Sequence, residues 1–256
     1  DPAMYQEQRK RLADKMKADG IPADAAALIS GEGEVPRNYS DCTFLFRQNG
    51  YFMHQFGYNQ PDAFGAILAD GRGVLFIARL PEEYATWMGP LPTPESVKAA
   101  TGVEECFYAD EIPAAFEKLG VKTVHTMNGV NSDSGKPVTC AKFKGIETVT
   151  IKDDYLFEAL NTIRVFKTQK EIELMSAINK VSSLGHVASM KAGPTAKSEH
   201  VFETTFMHYT YLNGGQRDVS YGYICATGPR CAILHYPGND QPVKDGEIAL
   251  LDMGGS

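Results

Sequence analysis

The sequence predicts two successive domains, an α/β domain over residues 1–155 and the opening of an α+β domain over residues 156–256. Three observations carry that prediction. Short apolar runs alternate with helical patterns through the first part of the chain. From about residue 154 two long helical patterns follow one another and then give way to strand-like runs. Finally, 256 residues with 43% hydrophobic and 22% charged side chains suit buried cores rather than a disordered chain.

The elements follow in chain order. Met4 to Asp19 reads as a surface helix, because Tyr5, Leu12 and Met16 share a face and Gly20 supplies a stop. Asp1-Pro2-Ala3 is set aside, with Met4 expected as the natural start. Ala25 to Ile29 and Thr43 to Phe46 are short strand candidates. Ala63 to Ala69 and Gly73 to Ala78 flank Asp70-Gly71 and read as a hairpin, since the turn needs a positive φ. Asp110 is expected to cap a helix from Glu111 to Leu119, with a strand at Val121 to Thr126.

In the second region Thr168-x-x-Glu171 is a capping box, opening a helix with Ile172, Met175, Ile178 and Val181 along one face. That helix ends near Gly193-Pro194. Ser198 is expected to cap a second helix whose Phe202, Phe206 and Tyr209 form a core stripe before Gly214-Gly215. Ser220 to Ala226, Cys231 to Tyr236 and Glu247 to Asp252 read as strands. Ile248 to Leu251 has the look of a buried strand, and the chain is expected to stop short of a finished domain.

Charge narrows the functions. A net charge of -7 argues against nucleic-acid binding, which rests on Lys and Arg neutralising phosphates. No apolar run is long enough to span a membrane, and the polar start lacks the apolar core of a signal peptide. The five cysteines, Cys42, Cys106, Cys140, Cys225 and Cys231, include no CxxC pair. Buried thiols in a reducing, cytoplasmic setting are expected.

Two residues stand out chemically. Asp252 follows Ile248-Ala249-Leu250-Leu251 and precedes Met253-Gly254-Gly255. A carboxylate at the end of an apolar strand needs compensation, from a divalent cation or from backbone amides in a turn. His235 lies before Pro237-Gly238 at a predicted strand end, placed either to donate to a substrate carbonyl or to serve as a hydrogen-bonded structural histidine. His54, His125, His186, His200 and His208 show no metal-ligand spacing, and there is no GxSxG elbow or P-loop. Gly31-Glu32-Gly33 is too short for a dinucleotide fingerprint.

Leu251-Asp252-Met253-Gly254-Gly255, with Leu234-His235-Tyr236 upstream, resembles the first metal-binding strand of the pita-bread metallopeptidases. Arg164-Val165-Phe166-Lys167 with Glu171 and Met175 is similar to the segment that opens their catalytic domain. Within that superfamily, prolidase fits best. Phe46-Arg47-Gln48-Asn49, Phe56-Gly57, Arg79-Leu80-Pro81, Ala85-Thr86-Trp87-Met88-Gly89 and Gly129-Val130-Asn131-Ser132-Asp133-Ser134-Gly135 are similar to its N-terminal segments, and Ser220-Tyr221 and Ile224-Cys225 continue the likeness. The resemblance implies an N-terminal α/β domain that helps form a homodimer. It also implies a pita-bread domain holding two divalent metals, manganese, cobalt or zinc, and hydrolysis of Xaa-Pro dipeptides. By position, Asp252 is the first metal ligand, His235 the substrate-contacting group, and Tyr221 a wall of the substrate pocket. The family's remaining ligands lie beyond residue 256. The chain is therefore expected to bind no catalytic metal and to be inactive alone, acting as a homodimer or together with the rest of the domain. The alternatives are an aminopeptidase P-like exopeptidase and, in another class, a non-catalytic dimerisation or binding module.

Overall fold

The computed structural model describes residues 1–138 and 140–256. Two compact units emerge, Asp1–Lys167 and Thr168–Ser256. The first contains, in order, α1 (Pro2–Ala18), β1 (Ala25–Ser30), α2 (Gly50–Phe56), β2 (Phe64–Leu68), β3 (Gly73–Ile77), α3 (Ala85–Met88), α4 (Pro94–Thr101) and β4 (Glu105–Tyr108). It continues with α5 (Ile112–Leu119), β5 (Thr123–His125), the small ribbon β6 (Gly129–Val130) and β7 (Pro137–Val138), then β8 (Thr150–Lys152) and α6 (Leu156–Val165).

Six strands form one mixed sheet in the order β4-β3-β2-β1-β5-β8. Alternation along β1 explains the layering, because successive side chains leave opposite faces. Ala27 and Ile29 join Leu12 and Met16 of α1, Phe52 and Phe56 of α2 and Leu160 of α6 in one core. Ala26 and Leu28 join Phe76, Val124 and Phe116 of α5 in the other. The expected α/β domain is therefore a sheet with apolar cores on both faces, which suits its parallel pairs.

The Asp70-Gly71 hairpin forms as expected between β2 and β3, with Gly71 at φ 92° and the Asp70 carboxylate accepting from the Arg72 amide at 3.0 Å. Other expectations need correction. Helix α1 starts at Pro2, and Asp1 caps it by accepting from the Ala3 amide at 2.9 Å, so these residues belong to the fold. Thr43 to Phe46 is not a strand. Only Thr43 bridges, to Pro36, in a loop that leaves Phe44 and Leu45 exposed. Asp110 does not cap α5, because its carboxylate pairs with Arg79 at 3.0 Å. Glu111 closes that turn instead, accepting from the Tyr108 amide at 2.9 Å. The first compact unit also runs past residue 155 to Lys167, since α6 places Leu156, Ala159, Leu160 and Ile163 in its core.

The second unit contains α7 (Gln169–Ala192), α8 (His200–Gly214), β9 (Ile224–Thr227) and β10 (Ala249–Asp252). The Thr168–Glu171 capping box is present, with reciprocal bonds of 3.3 and 2.7 Å. The packed face of α7 differs from the expected one. Ile172 and Met175 are exposed, and the buried positions are Ser182, Gly185 and Ser189. Small residues let the helices approach closely: a Cβ on Gly185 would lie 3.0 Å from both Phe206 and Thr210. Phe202 and Phe206 are core residues, as their spacing suggested, whereas Tyr209 is only half-buried and Thr210 takes the next buried position.

Ser198 is not a cap. Glu199 occupies that position, and the Ser198 hydroxyl pairs with His200 Nδ1 at 2.8 Å. Cys231 to Tyr236 is not a strand either: a short turn at Gly228–Ala232, with Pro229 near its start, leads into exposed Ile233 and Leu234. Ile248 and Leu250 are exposed rather than buried, because β10 pairs with β9 alone among the described residues.

Candidate functional site

The antiparallel pairing of β9 and β10 sets Asp252 opposite Ile224 and Leu251 opposite Cys225. Alternation then separates two faces. Cys225, Leu251 and Met253 pack with Phe202 and Phe206 of α8. Asp252 therefore leaves the opposite face, away from that core. Its carboxylate accepts the Tyr221 hydroxyl at 2.5 Å. This hydrogen bond, aided by partial burial, pushes the Tyr221 phenol up to about 12.

Tyr221, His235 and Asp252 line one cavity of about 820 Å³. Tyr223, Glu203 and Asn239 complete its polar wall. The structure thus brings the three residues singled out in the sequence to a common space. The His235 imidazole is exposed and has no hydrogen-bond partner among the described residues. Glu203 and Asp252 are carboxylates, and the described lining includes no lysine or arginine, so the walls favour cations and amines over anions.

Support for the histidine comes from its neighbours. Asn239 is buried at φ 51°. Its Oδ1 accepts from the Cys225 amide at 2.8 Å, and its Nδ2 donates to the Tyr223 carbonyl at 2.9 Å. Tyr236, next to His235, is buried and donates its hydroxyl to Glu199 at 2.7 Å. Burial works to raise the Glu199 pKa. Hydrogen bonds from Tyr236, Thr227, Arg230 and the Gln241 amide outweigh it and bring the carboxyl down to about 2.

Sequence reading missed Glu199, Glu203 and Asn239. Asn239 carried a usable signal, since asparagine after Pro237-Gly238 suits a left-handed turn position. Glu199 carried none, because its donors lie far along the chain. For a metal, the donor chemistry at Asp252 is suitable, being a hard oxygen at a cavity wall. Among the described residues, however, no three His, Cys, Asp or Glu side chains converge into a cage. The residues present do not by themselves fit a bound ion.

Comparison with known proteins adds the family context. Residues 5–126 match the model of the aminopeptidase P N-terminal domain, and residues 173–256 match that of metallopeptidase family M24. The chain is 37% identical over 259 residues to the Xaa-Pro dipeptidase of Rattus norvegicus, covering 99% of this chain and 53% of the rat protein. It is 27% identical to the Xaa-Pro aminopeptidase of Haemophilus influenzae, covering 98% of this chain and 56% of that protein. Zinc-substituted Escherichia coli aminopeptidase P in complex with product shares the fold, with a TM-score of 0.78 and 23% identity over 100% of this chain and 59% of that one. The chain therefore spans about half the length of the curated relatives it matches.

Proposed function

We propose, for a chain that joins an aminopeptidase P N-terminal domain to the start of a family M24 metallopeptidase domain, that the protein hydrolyses Xaa-Pro peptide bonds. One observation carries the reading: Asp252, His235 and Tyr221 meet on a single cavity within the segment that matches the metallopeptidase model. Identity to the rat dipeptidase favours dipeptides as substrates. The aminopeptidase relatives support the second reading, in which longer peptides lose their first residue.

In this reading Asp252 contributes one carboxylate ligand, and Tyr221 orients it by hydrogen bonding. The remaining ligands are assigned to the part of the relatives' length that this chain does not span. A divalent metal held by Asp252 together with those further ligands would supply a water of lowered pKa. The exposed His235 imidazole donates to the scissile carbonyl and to the oxygen that gains charge during attack. An Xaa-Pro bond has no amide hydrogen, so recognition relies on a surface fitted to the ring. The aromatic walls of Tyr221 and Tyr223 offer one. Manganese, cobalt or zinc as the metal, a homodimer and a cytoplasmic location belong to the same proposal.

The test is release of free proline from Ala-Pro and Gly-Pro by the whole protein, supplied with each metal in turn. Asp252→Asn is expected to lower turnover at least about 100-fold while leaving the unfolding midpoint nearly unchanged, because the side chain is exposed. Cleavage of tripeptides in preference to dipeptides favours the aminopeptidase reading. Absence of cleavage by the metal-loaded whole protein, or full activity of Asp252→Asn, overturns the assignment.

A further inference from the structure

Glu199 is fully buried and lies outside the cavity wall. A buried carboxylate is costly unless its oxygens are satisfied. Here they are, by two separate groups of donors. Oε1 accepts from the Thr227 amide at 2.8 Å, the Thr227 hydroxyl at 2.8 Å and Arg230 Nε at 2.9 Å. Oε2 accepts from the Tyr236 hydroxyl at 2.7 Å and the Gln241 amide at 3.1 Å. The first group lies where β9 ends and the following turn begins. The second brackets the Pro237-Gly238 turn. His235 lies between the two gripped segments and is bonded directly to Tyr236.

We infer that Glu199 is a positioning residue for the reaction: it grips the loop on both sides of His235 and so fixes where the imidazole enters the cavity. The inference rests on the assignment of His235 to the substrate carbonyl. Cutting one grip need not unfold the unit. Asn239 holds the loop independently through Cys225 and Tyr223, and Tyr236 keeps its ring among Ile224 and Ala226. Tyr236→Phe therefore removes one hydrogen bond to Oε2 and little packing.

The experiment measures kcat/KM for Ala-Pro in the whole protein for Tyr236→Phe, Glu199→Gln and His235→Gln, and for each of the first two combined with the third. Tyr236→Phe and Glu199→Gln are each expected to lose about tenfold, the scale of one charge-assisted hydrogen bond. Neither should lower the rate further once His235→Gln is present. A merely structural role would reduce the rate in both backgrounds. Amide exchange of residues 230–241 in the chain itself should also quicken in Glu199→Gln. Wild-type rates in Tyr236→Phe, undiminished losses in the His235→Gln background, or unchanged exchange each overturn the inference while the proposed hydrolysis stands. If His235→Gln is itself fully active, the role of His235 fails and this inference fails with it.

Discussion

At His125 the chain buries an imidazole with neither ring nitrogen hydrogen-bonded among the described residues, in a T-shaped contact with Tyr155 at a centroid distance of 5.4 Å. Burial lowers its pKa below the ordinary value of 6.5; nearby Lys152 lowers it further and Asp154 opposes. The folded chain therefore keeps the ring neutral, while the unfolded chain takes up a proton near 6.5. Stability is full above that pH and falls as the solution is acidified through the lower folded value. His125→Leu should change stability at pH 7 by no more than about 1 kcal/mol, because it deletes unsatisfied polar atoms. It should also flatten the loss between pH 7 and pH 5. Urea unfolding at the two pH values checks this, and equal slopes for the two proteins would count against it. Residues differ in how far the sequence exposes them. Asp252 and His235 stand out locally, at a strand end and before a Pro-Gly turn, but that context leaves a structural reading of each open, and their roles, like that of Tyr221, come only from the family resemblance. Glu199 does not stand out, because its donors Thr227, Arg230, Tyr236 and Gln241 meet it only after folding.

Elements were legible where local chemistry alone decides them. The Thr168–Glu171 box and the Asp70-Gly71 turn are satisfied within a few residues, so their positions follow from the sequence. Which side of α7 packs was not legible. Apolar spacing pointed to Ile172 and Met175, whereas the buried positions are Ser182, Gly185 and Ser189. Close approach, rather than bulk, sets that face, and hydrophobic periodicity is blind to it. The same geometry gives a prediction. Phe206 and Thr210 are both buried, so neither can move far from a side chain added at Gly185. Gly185→Leu should destabilise the second unit by about 1–3 kcal/mol or more through overpacking, despite leucine's better helix propensity. Leu184→Ala, at an exposed position one residue away, should stay within about 0.5 kcal/mol of wild type. Thermal unfolding of the two variants decides the matter, and a tolerated leucine would mean that the helices are not packed through this glycine.

At the scale of the whole molecule, the first unit ends only after α6. A change of texture near residue 154 points to a boundary within residues 152–166, set nominally at 155, but texture reports a change of pattern and not which core a helix joins. Helix α6 lies beyond that point and still buries Leu156, Ala159, Leu160 and Ile163 with α1 and the sheet. Arg11 ties down its end, donating to the Ile163 carbonyl at 2.7 Å and to the Phe166 carbonyl at 2.6 Å. Burying an aliphatic side chain is worth about 1.5–3 kcal/mol, and a domain's net stability is only about 5–15 kcal/mol. Losing α6 therefore removes stabilisation comparable to the whole margin. A chain ending at Lys167 should fold cooperatively. One ending at Tyr155 should be largely unfolded or should expose the apolar surface of α1. Circular dichroism melts and binding of a hydrophobic dye to the two pieces distinguish the cases, and equal cooperativity of both would place α6 outside the first core.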